Sequence, residues 1–226
     1  MSTKINARRL ISRRPRHVEL ESFDLGPVPD DGILVQNEYT AVSVGTELYS
    51  FVHGHEWGRP ENFPCGTGYC SAGKVLEAGK DVSSVQPGDR VACQGNHASH
   101  EVRCSLYHRI PDNVSTRHAA FLVMAAISMH GIRRARVELG HSVAILGLGL
   151  VGQFATGLAR LAGAAPLIVI DRDRSRLEKA KQMGAQFCFN PDEENDLVKA
   201  VHGLCPEDGV NILIEATGIP SLYPLA

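Results

Sequence analysis

The sequence predicts two domains of different class: a small, irregular β-barrel of short strands, then an α/β domain on a parallel, doubly wound sheet. Three observations carry that expectation. Residues 1 to about 112 read as short strands broken by Gly, Pro and Asp turns. From residue 141 onward, apolar runs of strand length alternate with segments of helical periodicity, the order that right-handed crossovers between parallel strands produce. Between them, Ala119, Ala120, Leu122, Val123, Ala126, Ile127 and Met129 suit one largely buried connecting helix with Ser115 as its N-cap. The expected boundaries are 1–114, 115–136 and 137–226.

At 226 residues the chain is long enough to bury a core in each of two small domains. A hydrophobic content of 43% with 21% charged residues is that of an ordinary globular protein. A formal charge of −2 gives no electrostatic reason to expect nucleic acid or an anionic membrane as partner. Six cysteines are scattered without a C-x-x-C pair. With no secretory leader and no apolar run of membrane-spanning length, a cytoplasmic protein with reduced thiols is expected.

The first element carries Lys4, Arg8, Arg9, Arg13, Arg14 and Arg16 without an acid, a composition shared with mitochondrial transit peptides. The turn residue Pro15 and the partial alternation on either side favour a β-hairpin. Further strands are expected at 33–42, 73–78, 90–93 and 99–104, with Pro27 to Gly32 and Pro87-Gly88-Asp89 as turns. In the second domain 143–146 and 167–170 are apolar runs of strand length. The stripe of Val151, Phe154, Ala155, Leu158, Leu161 and Ala162 predicts a helix between them that stops at Gly163. A helix over 175–183 ending at Gly184, a strand at 186–189, a helix over 192–202 and a strand at 210–215 follow. No internal repeat or low-complexity tract interrupts this order.

The first crossover carries the chemistry. The run Gly147-Leu148-Gly149-Leu150-Val151-Gly152 sits between a strand and an amphipathic helix, and Asp171 ends the next strand nineteen residues after Gly152. Gly147 permits the tight turn, Gly149 removes a side chain where a pyrophosphate must approach the main chain, and Gly152 lets helix and strand pack closely. Free N–H groups at the helix start favour an anion. A carboxylate at the position of Asp171 suits an adenosine ribose. The whole unit therefore predicts a dinucleotide site. The acid favours NAD, although Arg172, Arg174 and Arg176 could each meet the 2′-phosphate of NADP.

Several further segments surround this unit: Val44-Gly45-Thr46-Glu47-Leu48, Gly68-Tyr69-Cys70-Ser71-Ala72-Gly73, Gly88-Asp89-Arg90-Val91 and Glu215-Ala216-Thr217-Gly218. In these the chain resembles the medium-chain dehydrogenase/reductase superfamily, the zinc alcohol dehydrogenase-like proteins, from about Ala7 to its end. The resemblance implies a GroES-like barrel followed by a Rossmann domain, with the active site in the cleft. It implies hydride transfer between NAD(P) and a small alcohol, ketone or activated alkene, in a full-length protein that is a homo-oligomer. A doubly wound domain usually has six strands. Only four are legible, so the chain is expected to be C-terminally truncated and to bind cofactor weakly or not at all.

Departures from the family pattern are equally informative. Zinc-dependent members place a cysteine where this chain has Val44, and Gly-His-Glu where it has Gly68-Tyr69-Cys70. No candidate for the third ligand is apparent beyond the barrel, and the four-cysteine lobe after Val91 is missing. Valine offers no ligand atom, and a phenol replaces imidazole poorly. Gly54-His55-Glu56 spells the family tripeptide out of frame; His53 and His55, or Cys65, Cys70, Cys93 and Cys104, match no common zinc spacing. No zinc is expected.

Without zinc, side-chain hydroxyls must manage the proton and the developing oxyanion. Thr46 matches the family's proton-relaying hydroxyl, Tyr49 could extend the relay, and Tyr69 could polarise a carbonyl oxygen or be an ordinary core tyrosine. Glu47 reads as a structural partner. Cofactor contacts are expected at Gly147, Gly149, Leu150, Val151, Gly152, Asp171, Arg172, Arg176 and Thr217. Two other readings stand beside the zinc-free enzyme: a non-catalytic nucleotide-binding or interaction protein, and a zinc dehydrogenase with displaced ligands.

Overall fold

Strands β1 (Ala7–Arg14) and β2 (His17–Phe23) form the expected hairpin, antiparallel with Leu10 opposite Leu20. Its turn places Arg16 at φ 60°, and the Ser12 hydroxyl donates to the carbonyls of Arg14 and His17 across it. The basic run is answered from the neighbouring strand: Arg9 Nε donates to Glu21 at 2.7 Å and Arg13 Nε to Glu19 at 2.6 Å. This is a computed structural model describing residues 5–53, 63–205 and 209–225.

The chain then runs through β3 (Ile33–Thr40), α1 (Val44–His53), β4 (Cys65–Gly66), β5 (Ser71–Ala78), β6 (Arg90–Cys93), β7 (His100–Arg103) and β8 (Tyr107–Arg109). Five strands form one antiparallel sheet in the order β7-β3-β5-β6-β8, and β4 extends the hairpin as β2-β1-β4. An isolated bridge from Arg9 to Ala98 links the smaller sheet to the loop before β7. Alternation in β3, β5 and β6 sends Ile33, Val35, Val75, Val91 and Cys93 into one core with Val85.

Three elements here differ from the expectation. β4 and β8 have two and three residues, too few for a periodic signal. Helix α1 occupies a stretch expected to lie among strands and turns. Its first turn holds Val44, Gly45 and Thr46, all weak helix formers. Glu47 offsets this locally, donating its N–H to Ser43 O and accepting the Ser43 N–H on Oε1 at 2.7 Å. β3 accordingly stops two residues short of the expected end, and Val42 is exposed.

The connecting segment is two helices, α2 (Thr116–Ala119) and α3 (Leu122–Arg134), with Ser115 capping the first by accepting the His118 N–H. Its buried stripe is Thr116, Ala120, Met124, Ser128 and Ile132, one residue every fourth position. Leu122, Ile127 and Met129 face outward, so the expectation of a largely buried helix is corrected. Of this stripe only Ala120 was expected; Ser128 gives no apolar signal, its hydroxyl being satisfied by backbone as it donates to Met124 O at 3.0 Å. The boundary between the two compact units, Met1–Val123 and Met124–Ala226, falls inside α3.

The second unit contains β9 (Val143–Leu146), α4 (Leu150–Leu161), β10 (Leu167–Ile170), α5 (Arg174–Gln182), β11 (Phe187–Phe189), α6 (Leu197–His202) and β12 (Ile212–Glu215). Its sheet is parallel throughout, in the order β11-β10-β9-β12. Both faces are covered. Val143, Ile145, Leu167 and Val169 meet Ala155 and Ala159 of α4 and Leu177 and Ala180 of α5, while Ala144, Ile168 and Ile170 meet Leu197 and Val201 of α6. Helix α6 starts later than expected because Asp192 and Glu193 are drawn back to Arg172 and Arg174, leaving Asp196 to cap it through the Lys199 N–H.

Candidate functional site

In the second unit the chain leaves β9 through Gly147 at φ 91°, where a Cβ would stand 2.7 Å from Thr217 Cγ2 and 2.8 Å from Thr217 N. The turn therefore needs glycine twice over, for its dihedral and for its neighbour. A Cβ on Gly152 would come within 1.9 Å of Gly147 O, so the first turn of α4 can sit against the strand end only without a side chain there. Gly149 caps α4 with no side-chain hydrogen bond, and a Cβ placed on it meets nothing within 4 Å. The free N–H groups of this twelve-residue helix thus open onto unfilled space.

Asp171 lies beside this turn, its side chain 10% exposed. Oδ2 accepts the Leu148 N–H at 2.6 Å and Oδ1 the Asp173 N–H at 2.8 Å. Each oxygen keeps a lone pair for a further donor. Arg176 Nη1 stands 3.8 Å from Oδ2. Arg172 and Arg174 are engaged elsewhere, with Nε donating to Asp192 at 2.8 Å and to Glu193 at 2.9 Å. The hydrogen bond to Asp192 also raises the Arg172 pKa.

Across β9 from β10, β12 ends in Glu215, which accepts both the N–H and the hydroxyl of Thr217. The Thr217 hydroxyl in turn accepts the Ile219 N–H. Strand order reverses between β9 and β12, so Gly147 and Thr217 meet at the switch point of the sheet, where ligands of such sheets bind. Leu150 and Val151 lie in the first turn of α4. The cofactor-site residues expected from the sequence thus cluster at this end of the sheet, except that Arg172 turns toward Asp192.

In the first unit Thr46 is exposed in the first turn of α1, and Tyr49, half-buried, stacks its ring 4.5 Å from that of His53. Tyr69 is half-buried on the segment before β5. Neither the Thr46 nor the Tyr69 hydroxyl has a hydrogen-bond partner among the described residues. Sequence reasoning missed His97. Its Nε2 donates to Glu47 Oε2 at 2.8 Å across fifty positions, with both side chains largely buried. A lone histidine in a loop gives no periodic or spacing signal.

The side chains at the family's metal positions do not fit zinc. Val44, the first residue of α1, carries no donor and is exposed. Cys70 is fully buried. No three His, Cys, Asp or Glu side chains among the described residues converge on a metal, and Gly54-His55-Glu56 lies outside those residues. Cys93 is pushed up to about 12, chiefly by burial and then by the Glu101 carboxylate, which itself accepts the Ser71 hydroxyl at 2.5 Å. Iodoacetamide at pH 8 is therefore expected to label exposed Cys104 well before Cys93 or Cys70, followed by peptide mass. Equal labelling would show that this core opens readily.

Comparison with known proteins agrees with this geometry. The alcohol dehydrogenase GroES-like domain family matches residues 29–156, and the zinc-binding dehydrogenase family matches residues 151–226. D-guloside 3-dehydrogenase of Escherichia coli (strain K12) is 28% identical over 235 residues, covering 93% of this chain and 67% of that protein. Sorbitol dehydrogenase of Bos taurus is 27% identical over 250 residues, covering 93% and 68%. Among solved structures, a putative zinc-binding dehydrogenase from Sinorhizobium meliloti 1021 bound to NADP superposes with a TM-score of 0.83 at 24% identity, over 96% of this chain and 72% of that one. No helix among the described residues is long and apolar enough to cross a membrane. With both domain families matched and the parallel sheet carrying its glycine turn, the chain belongs to the zinc-type medium-chain dehydrogenase/reductase superfamily and is an NAD(P)-dependent dehydrogenase.

Proposed function

We propose that this dehydrogenase works without catalytic zinc, prefers NAD, and oxidises a secondary alcohol of a small polyol or related alcohol, runs the reverse reduction of the ketone, or instead reduces an activated alkene. The observation that carries the reading is the pairing of a complete glycine turn with a donor-free residue, Val44, two positions before Thr46. Polyol-acting relatives support the substrate class. Six free cysteines fit a reducing compartment, and the cytoplasm is proposed on that ground. Homo-oligomerisation of the full-length protein rests on the family resemblance alone.

Residues of the turn would hold the cofactor: Gly147, Gly149 and Gly152 admit the pyrophosphate to the main chain, Leu150 and Val151 supply helix N–H groups, and Asp171 accepts from the adenosine ribose. Thr217 keeps the far side of the turn in place. Arg176, the arginine nearest Asp171, flanks the ribose, while Arg172 is held by Asp192, which favours NAD. When bound, the nicotinamide supplies the hydride acceptor. Thr46 Oγ1 takes the proton of the substrate hydroxyl and passes its own toward Tyr49. Tyr69 donates a hydrogen bond to the oxygen as it becomes a carbonyl.

The test uses the full-length protein, with D-sorbitol and 2,3-butanediol and with NAD and NADP side by side. Thr46→Ala and Tyr69→Phe are expected to lower kcat by about 100-fold each with the cofactor Kd unchanged. Zinc, by elemental analysis, is expected far below one atom per chain. Stoichiometric zinc would overturn the zinc-independent reading. Cofactor binding without turnover in any variant would favour the non-catalytic one.

A further inference from the structure

The two segments that carry the candidate hydroxyls, α1 with Thr46 and the stretch before β5 with Tyr69, are separate in sequence and need a common anchor. His97 is placed to be that anchor. Its ring is 8% exposed and its Nε2 donates to Glu47 Oε2, while the other oxygen of Glu47 holds Ser43 N–H at the start of α1. The ring also lies against Gly68, where a Cβ would come within 2.7 Å of Cγ and Nδ1 and 2.8 Å of Cδ2. The His97 N–H donates to Thr67 O at 2.8 Å, and the His97 carbonyl accepts the Leu10 N–H of β1 at 2.9 Å. One histidine therefore touches both segments at once, immediately beside Thr46 on one and Tyr69 on the other.

We propose that the Glu47–His97 pair is a metal-free clasp that holds α1 and the Thr67-Gly68-Tyr69 segment in register, making Glu47 and His97 positioning residues for the proton-handling hydroxyls. Zinc-dependent relatives are expected to carry ligands on these same two segments, at the positions of Val44 and Tyr69. Here those positions offer no metal site, and a hydrogen-bonded pair joins the segments instead. The pair's burial matters. A carboxylate only accepts, so Nε2 donates, and Nδ1 is left buried without a partner among the described residues. A ring so enclosed holds one orientation. The inference rests on the reading of Thr46 and Tyr69 given above, but the clasp itself is testable without any turnover.

Hydrogen exchange by mass spectrometry on the full chain tests it. In His97→Asn and in Glu47→Gln, amides of α1 and of residues 67–71 are expected to exchange at least 10-fold faster than in the parent. Amides of β3 and of β9 to β12 are expected to keep their rates. The double variant is expected to loosen no further than either single one, and His97→Gln, whose longer side chain carries its amide N–H closer to the Nε2 position than that of Asn, to recover most of the protection. A chelator added to the parent is expected to change nothing.

Should His97→Asn fail to fold, Glu47→Asp withdraws the carboxylate by one methylene and should give the same local loosening. With D-sorbitol and NAD as the probe pair, kcat is expected to fall about 10-fold while KM for NAD stays unchanged. Loosening of only one segment, uniform loosening of the whole first unit, unchanged exchange in both variants, loosening by the chelator, or an unaltered kcat would each overturn the proposal. If the parent does not turn over D-sorbitol, that bears on the proposed function, and the exchange data still decide the clasp.

Discussion

Gly152→Ala is expected to destabilise the second unit by about 3 kcal/mol, a fall in melting temperature of roughly 10 °C. The added carbon would sit 1.9 Å from Gly147 O, and a main-chain oxygen in a tight turn cannot swing aside as a flexible side chain would. Either α4 slides away from β9 or the turn opens, and both break contacts of Ala155 and Ala159 with the sheet. Gly149→Ala makes the opposite prediction. Nothing lies within 4 Å of its added carbon and its φ of −64° suits any residue, so only the poorer N-cap counts, about 0.5–1 kcal/mol or a fall of roughly 2–3 °C in melting temperature. NADH affinity, read by fluorescence titration, is expected to fall at least 10-fold, because that carbon occupies the space the pyrophosphate needs. An unchanged melting curve for Gly152→Ala would contradict the close packing of helix and strand. Unchanged NADH affinity for Gly149→Ala would mean the diphosphate does not approach there.

Asp171→Ala carries the second large effect, on stability and on cofactor choice together. Its carboxylate accepts from Leu148 N, and Leu148 is 1% exposed, so truncation leaves a buried N–H with no acceptor. Loss of that charge-assisted bond is expected to cost about 2–3 kcal/mol in urea denaturation. Asp171→Asn keeps one acceptor oxygen for Leu148 N and is expected to cost about 1 kcal/mol. Both variants should bind NADH at least 10-fold more weakly than the parent, whereas NADPH should be affected less, with Arg176 freed from its neighbour 3.8 Å away. If Asp171→Ala melts like the parent and binds NADH as tightly, the carboxylate neither braces the turn nor meets a ribose.

Much of the architecture was legible because both domains depend on short-range patterns. A short apolar run behind the Pro87-Gly88-Asp89 turn marked β6 to the residue, and the glycine turn with its flanking strand and helix predicted β9, α4 and β10 in place. Where turn chemistry competes with helix formation, the boundaries moved. Acids at 192 and 193 looked like the start of α6 but bind arginines of the preceding segment instead.

The linear order of residues was sufficient to announce the glycine cradle, the acid at the tip of β10 and the parallel sheet, since each is marked by residue patterns a few positions long even where the partners that pair are 23 to 69 positions apart. It could not specify α1, whose first turn is intrinsically weak and is held by Glu47. Nor could it specify the Glu47–His97 contact, because fifty positions separate two side chains that meet only after β1, β4 and the loop before β7 have paired. A hydrogen bond between distant residues depends on where the backbone delivers them, and that delivery is a property of the folded chain.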